Sequence, residues 1–208
     1  MDAPAGPGGG GTEPVDDDLV ADEGARGGAR GRGAPQFSRV ALSRNGLDFE
    51  APPEFLGRPY RRLFRWDGFH YALAMPGVMH RSPDGLTDFE EGPTLFASNQ
   101  RHTALKLDGD RLSIFFMNAG DCPERILLST ITLTPNWRAW RAGEPVPVLE
   151  PELEYEGGHL ALEPSRRGPV MEPVCQLRDP AIYREDGRTY LLYAVAGEYG
   201  IAELLDDA

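Results

Sequence analysis

Residues 63–77 read LFRWDGFHYALAMPG: an apolar stretch, an Asp-Gly pair and a second apolar stretch that ends in small residues. The same pattern returns at residues 105–120 as LKLDGDRLSIFFMNAG and at residues 182–197 as IYREDGRTYLLYAVAG. An Asp-Gly pair between two alternating apolar stretches is a strong signal for a β-hairpin. The sequence therefore predicts three equivalent hairpins, which turn at Asp67-Gly68, Asp108-Gly109 and Asp186-Gly187.

A second kind of hairpin signal accompanies the first. The stretch LSRNGLDFEAPPEFL, from Leu42, aligns with RSPDGLTDFEEGPTLF, from Arg81, and sets Asn45-Gly46 against Asp84-Gly85. An inner hairpin followed by an outer one makes a four-stranded meander of about 40 residues, which is the unit of a β-propeller blade.

This repeat predicts an all-β fold, a partial β-propeller of about three and a half blades, whereas closed propellers have roughly four to eight. We expect two complete blades, at residues 60–96 and 101–149. Residues 178–205 should form the first three strands of a third blade, and residues 37–57 the outer half of another. Residues 150–175, rich in Glu and Pro, interrupt the period and are predicted to form a long loop over one face.

The overall composition agrees with many short strands and limits the partners. The chain has 25 glycines and 19 prolines, too many for a helical protein. It has 33 acidic and 21 basic side chains, a formal charge of −12, which argues against nucleic acid and anionic membranes as partners. No basic stretch followed by an apolar one begins the chain, and no apolar run reaches the roughly 20 residues of a membrane span. As given, the chain is expected to be cytoplasmic.

The first 36 residues differ from the rest. They contain ten glycines, four prolines and an acidic patch, with almost no large apolar side chain. Such a segment buries too little apolar surface to offset the entropy of ordering its backbone. We predict a disordered leader over residues 1–36 and a propeller-like domain over residues 37–208.

Polar residues at the starts of the inner strands are the candidates for a site, because these strands line the central funnel of a propeller. Three blades place such residues at similar positions: Tyr60, Arg61 and Arg62; Arg101 and His102; Arg178 and Asp179. We expect Arg62, Arg101, His102 and Asp179 to converge on one concave surface. No phosphate loop, zinc motif or serine-hydrolase motif is present in the sequence, so no cofactor or metal is predicted.

The segment QLRDPAIYREDGRTYLLYAVAGEYGIAEL, from Gln176, resembles a blade of the five-bladed β-propeller glycoside hydrolases, the arabinanase/xylosidase and invertase/levansucrase superfamily. Only residues 176–203 carry the resemblance specifically. It implies that Asp179 faces the funnel as an ionised carboxylate, with Arg178 beside it. Carbohydrate is then the expected ligand, with hydroxyl contacts from Tyr60, Arg62, Arg101, His102 and Arg178.

Glycoside hydrolysis requires a second carboxyl group, protonated near neutral pH, across the scissile bond. Glu156 in EYEGG is the candidate for this acid, since an aromatic neighbour and flanking glycines would let the loop reach over the funnel. The alternative is that Glu156 belongs to a solvated acidic loop, because Glu150, Glu152 and Glu154 precede it.

The sequence also departs from the superfamily, whose catalytic base comes from an Asp on the first blade. Arginines stand at the corresponding strand start here. Either N-terminal blades have been lost or this lineage lacks the acid pair, and both readings predict little or no hydrolase activity for this chain alone. Two functions stay open: a glycoside hydrolase or its remnant, and a non-catalytic propeller module that binds glycan or protein. The oligomeric state is left open.

Overall fold

The structure, a computed structural model, describes residues 36–206. These residues form three antiparallel sheets. The first contains β1 (Arg62–Trp66), β2 (Phe69–Ala74), β3 (Val78–Ser82) and β4 (Glu90–Thr94). The second contains β5 (Gln100–Asp108), β6 (Arg111–Asn118), β7 (Ile126–Thr132) and β8 (Val146–Leu149). The third contains β9 (Arg178–Glu185), β10 (Arg188–Val195) and β11 (Gly200–Asp206).

Each sheet is a meander whose strands pair in chain order, so the predicted all-β, partial propeller is confirmed. The helical structure in the described residues is confined to two 3₁₀ turns, Trp137–Ala139 and Glu154–Glu156. No helix in residues 36–206 is long and apolar enough to span a membrane. The predicted leader, Gln36 apart, lies outside the described residues.

The three sheets pack face to face through two hydrophobic clusters. Tyr71 and Leu73 of β2 share the first cluster with Leu112 and Phe116 of β6. The second cluster joins the other face of the middle sheet to Leu191 and its neighbours on β10. The middle sheet is therefore buried on both faces, as expected for a blade with a neighbour on each side.

The inner strands β1, β5 and β9 lie side by side. Arg62 Nε donates to the Thr103 carbonyl 3.0 Å away and so ties β1 to β5. Arg184 Nη1 donates to the Leu107 carbonyl at 3.3 Å and ties β9 to β5. Because the three strands run in the same sense from a common end, their first residues meet at one edge of the molecule.

The structure differs from the predicted hairpins in two details. The inner hairpins turn at Asp67-Gly68 and Asp186-Gly187 as predicted, but the middle one turns at Gly109-Asp110. That register sets Leu105 opposite Ile114 and Lys106 opposite Ser113. A turn at Asp108-Gly109 would have set Lys106 opposite an arginine, and like charges directly across a ladder are unfavourable.

The segment over residues 37–57 forms a hairpin instead of a pair of strands: one isolated bridge joins Leu42 to Glu50, and backbone hydrogen bonds join Ser38 to Leu56 and Gly57. Pro52 and Pro53 follow the bridge and have no N–H to donate to a ladder. The turn itself repeats the one after β3: Asn45 Oδ1 accepts the amides of Leu47 and Asp48, and Asp84 Oδ1 accepts those of Leu86 and Thr87. The alignment of the two outer hairpins is therefore visible in their local structure.

Candidate functional site

A cavity of about 380 Å³ lies at the common end of the inner strands. Its walls come from the starts of these strands, from the turn after the second strand of the outer two sheets, and from the loop that precedes β9. The lining residues are Gln36, Tyr60, Met75, Arg101, His102, Arg167, Gly168, Pro169, Asp179 and Glu198. The structure thus brings together four of the candidates, Tyr60, Arg101, His102 and Asp179.

Three of these side chains occupy the same position in their sheets. Tyr60, His102 and Asp179 each lie seven residues before the first turn residue of their inner hairpin, namely Asp67, Gly109 and Asp186. They also contact one another in series. The rings of Tyr60 and His102 lie 4.0 Å apart between centroids, and His102 Nδ1 is hydrogen bonded to Asp179 Oδ1. The sheet repeat therefore builds a row of three contacting side chains on the cavity wall.

Irregular backbone turns these residues toward the cavity. A β-bulge in β9 sets Asp179 and Pro180 opposite a single residue of β10, and a bulge in β5 does the same with Arg101 and His102. Asp179 has a φ of 50° and Tyr60 a φ of 55°, in the left-handed region that non-glycine residues seldom occupy. Bulges and strained residues of this kind cluster at functional sites, where they aim a side chain.

The Asp179 carboxylate is half-buried, with a side chain 39% exposed. Burial by itself would raise the pKa of Asp179. The hydrogen bond and the charge of His102, together with the positive charges of Arg101 and Arg178, outweigh burial and hold this pKa below its usual value. Asp179 is therefore an ionised acceptor at neutral pH.

Arg178 points away from the cavity into a buried network. Its guanidinium is fully buried, and Nε lies 3.1 Å from Glu124 Oε2 and 3.0 Å from Gln176 Oε1. Nη1 reaches Glu198 Oε1 at 3.1 Å. Arg178 is thus placed to orient Glu198 and is not itself a wall of the cavity. Arg62 also stays outside, because its guanidinium is bonded to the Thr103 carbonyl described above.

Glu156 does not line the cavity either. Its side chain is only 4% exposed, and Oε2 accepts the backbone amides of Glu152 and Leu153, both at 2.9 Å. Oε1 accepts the hydroxyl of Tyr193 at 2.9 Å. Every one of these bonds holds the turn that carries Glu156, and none presents the carboxyl group to a ligand.

Two charged residues that line the cavity, Glu198 and Arg167, were not among the predicted binding residues. Glu198 follows β10, and the sequence suggests a carboxylate that packs between blades. Arg167 belongs to the loop before β9 and donates to the carbonyls of Ser98 at 2.5 Å and Gln100 at 3.3 Å. The order of the strands predicts the position of Glu198: in a meander, the turn after the second strand lies at the same end of the sheet as the start of the first strand. The loop carries no comparable signal for Arg167.

No group of three or more His, Cys, Asp or Glu side chains within residues 36–206 is arranged to hold a metal ion. The cavity instead mixes carboxylates, guanidinium groups, an imidazole and a phenol ring. Such a wall offers both donors and acceptors to a polar ligand.

Comparison with known proteins supports the architecture. A thermostable family-43 glycoside hydrolase superposes with a TM-score of 0.56, over 82% of this chain and 61% of its own, at 14% identity. At this identity the likeness is one of fold. The β-1,2-mannobiose phosphorylase from Listeria innocua superposes with a TM-score of 0.48, over 82% and 66% of the two chains, at 11% identity.

At the level of sequence, no family model matches the chain. The uncharacterized protein R118 of Acanthamoeba polyphaga mimivirus is 38% identical over 182 residues, which are 79% of this chain and 51% of that protein. The chain therefore spans about half the length of this curated relative.

Proposed function

We propose that this chain binds carbohydrate in the cavity, through Tyr60, Arg101, His102 and Asp179. The observation that carries the proposal is that Tyr60, His102 and Asp179, equivalent in register, contact one another on a single concave wall. The polar strand starts of three sheets thus meet on one ligand-sized surface.

The chemistry of the wall suits a sugar. A ring hydroxyl both donates and accepts, so it needs neighbours of both kinds. Asp179 offers an ionised acceptor, Arg101 and Arg167 offer N–H donors, and Tyr60 offers an aromatic face and a hydroxyl. A cavity of about 380 Å³ lies at the lower end of the range for small-molecule sites, roughly 300–1,000 Å³. A monosaccharide unit is the expected occupant.

The site favours binding over hydrolysis. Two carboxylates line the cavity within the described residues, and both have cationic or imidazole partners: Asp179 has His102, and Glu198 has Arg178. A general acid needs surroundings that keep it protonated near neutral pH, such as an apolar pocket or a neighbouring anion. Neither carboxylate has them, and Glu156 is bonded elsewhere.

The family-43 glycoside hydrolase adds support by analogy of fold, because it is a carbohydrate-active enzyme with the same architecture. Fold alone does not carry function over to this chain. The cavity and the shared position of its residues in the three sheets support carbohydrate binding by this chain.

The test is a binding screen with matched variants. Wild type, Asp179→Asn and Asp186→Asn are compared on an array of glycans and by calorimetry with the best ligand. Asp186 is the control because it has the same φ of 50° as Asp179 but lies on the exposed hairpin turn at the far end of β9. We expect Asp179→Asn to weaken binding at least tenfold, since it removes a charge-assisted acceptor, and Asp186→Asn to leave it unchanged.

Equal affinity in all three proteins would contradict the proposal. The same samples are incubated with the bound glycan and assayed for newly formed reducing ends. We expect none, and release of sugar that depends on Asp179 would instead establish a glycoside hydrolase.

A further inference from the structure

Glu124 lies at the centre of a buried charge network behind the cavity. Its side chain is 0% exposed and sits just before β7, where residue 124 bridges to Gln176. Arg101 Nη1 lies 3.0 Å from its Oε1 and 3.2 Å from its Oε2, and Arg178 Nε lies 3.1 Å from Oε2. One carboxylate therefore binds two guanidinium groups that come from neighbouring inner strands.

The network balances the charge of the cavity. Apart from the imidazole of His102, three cationic side chains and three anionic ones either line the cavity or contact residues that do: Arg101, Arg167 and Arg178, and Glu124, Asp179 and Glu198. Glu124 differs from the other two acids because it has no surface on the cavity. It is linked to the cavity wall through Arg101, and through Arg178 to Glu198.

We propose that Glu124 is a specificity-determining residue that keeps the cavity electrically balanced, so that the site selects neutral sugars over sugar acids. The proposal rests on the proposed carbohydrate-binding function and names the ligand class. Glu124 acts here as a positioning residue, since it holds the guanidinium of Arg101 and does not touch the ligand.

The physical reason is competition for Arg101. Glu124 holds Nη1 of Arg101, whereas an arginine without a carboxylate partner binds a ligand carboxylate strongly, often through two hydrogen bonds. Burial raises the pKa of Glu124, and the positive charges of Arg101 and Arg178 oppose that shift. The ionised form of Glu124 gives each of these two buried guanidinium groups a carboxylate partner.

The experiment uses Glu124→Gln, which keeps the shape and removes the charge. Methyl glucoside and methyl glucuronide, which differ in a carboxylate, serve as probes by calorimetry. We expect the ratio of glucuronide to glucoside affinity to rise about tenfold in Glu124→Gln, the effect of one unpaired charge near a ligand at intermediate dielectric. Glu150→Gln is the matched control, because Glu150 pairs with Arg125 on the exposed surface. An unchanged ratio would overturn the proposal.

A second arm does not depend on a sugar. Carboxyl ¹³C NMR follows the titration of Asp179 in wild type and in Glu124→Gln. Loss of the Glu124 charge should lower the pKa of Asp179 further, because Arg101 loses its carboxylate partner and Arg178 keeps only Glu198. If neither glycoside binds wild type but this pKa still moves, the carbohydrate proposal fails for these sugars while the charge coupling stands. A pKa that does not move refutes the coupling.

A charge-restoring variant guards against a merely structural effect. Glu124→Gln combined with Arg101→Met removes one negative and one positive charge, and should return the affinity ratio toward the wild-type value. Arg101→Met alone should move the affinity ratio the opposite way, toward the neutral sugar. If Glu124→Gln fails to fold, Arg101→Met still provides a test, because it leaves Glu124 paired with Arg178. A ratio that shifts in the same direction in both single variants would contradict the proposal.

Discussion

Asp179 and Glu156, the two carboxylates that the sequence nominates for one site, have opposite surroundings. Asp179 is 39% exposed, lies on the cavity wall and is bonded to a side chain, His102. Glu156 is 4% exposed and is bonded to two backbone amides of its own turn and to the Tyr193 hydroxyl. A carboxylate whose partners are backbone amides stabilises a fold, whereas one that faces a cavity is available to a ligand. Four predictions test this difference.

Replacing Glu156 with alanine should have the largest effect. The change leaves the Tyr193 hydroxyl and two amides without an acceptor, at a cost of about 3 kcal/mol in the free energy of unfolding. Urea denaturation measures it, and Glu154→Ala, on the exposed side of the same 3₁₀ turn, should cost under about 0.5 kcal/mol. Weakened glycan binding without a loss of stability would reverse the roles assigned to the two carboxylates.

Gly157→Ala tests whether the turn that carries Glu156 is rigid. Gly157 has a φ of 82°, and a Cβ there would lie 2.5 Å from the Val174 carbonyl oxygen. We expect the free energy of unfolding to fall by about 2 kcal/mol, because of backbone strain and this clash. Gly187, with a φ of 78° and no atom within 4 Å of an added Cβ, is the control for strain alone and should lose about 1 kcal/mol. Equal losses would mean that the turn can move to admit the methyl group.

Tyr193→Phe removes one of the three hydrogen bonds to Glu156. Burial, reinforced by the Glu156 carboxylate, raises the pKa of Tyr193, so the hydroxyl remains a donor throughout the neutral range. We expect the free energy of unfolding to fall by about 1 kcal/mol. Thermal denaturation at pH 7 measures it. In the Glu156→Ala background the same change should cost much less, and additive losses would contradict a direct bond.

Asp179→Asn should have the smallest effect on stability. The pKa of Asp179 is lowered in the folded protein, so its contribution is present above its unfolded pKa of about 4 and is lost as the pH falls below that value. Because the side chain is more than a third exposed, the contribution should be under about 1 kcal/mol. Denaturation of wild type and variant at pH 5 and pH 2 should show the larger difference at the higher pH. A larger difference at pH 2 would reverse the sign.

Much of the fold was predictable because hairpin signals are local. The Asp67-Gly68 and Asp186-Gly187 turns, the Ser82 to Thr87 turn and the boundaries of the sheets follow from residues within a few positions of one another. The middle hairpin was displaced by one residue because cross-strand pairing decided the register there. Residues 37–57 kept the predicted turn but not the predicted strands, since two prolines removed ladder donors.

The sequence predicts a site residue only where the residue holds the same position in each repeated hairpin. Tyr60 and Asp179 lie seven residues before their Asp-Gly pairs, but an alignment on Asp108-Gly109 puts Arg101 at that position. His102 takes it only because the middle turn lies one residue later. Regular alternation would put Arg62 on the same face as Tyr60, but the left-handed backbone at Tyr60 breaks that alternation. The bulge in β9 likewise separates Arg178, which points into the buried network, from Asp179 beside it.

The sequence by itself determined the all-β class, the blade repeat and the end of the sheets where polar residues would gather, because each depends on short-range pattern and turn chemistry. The tertiary structure decided which polar residue faces the cavity and which is buried, because that depends on partners far away in the chain. Glu124 meets Arg101 and Arg178 across 23 and 54 positions, and Glu156 meets Tyr193 across 37. A carboxylate acquires its role from such distant partners, and no local pattern records them.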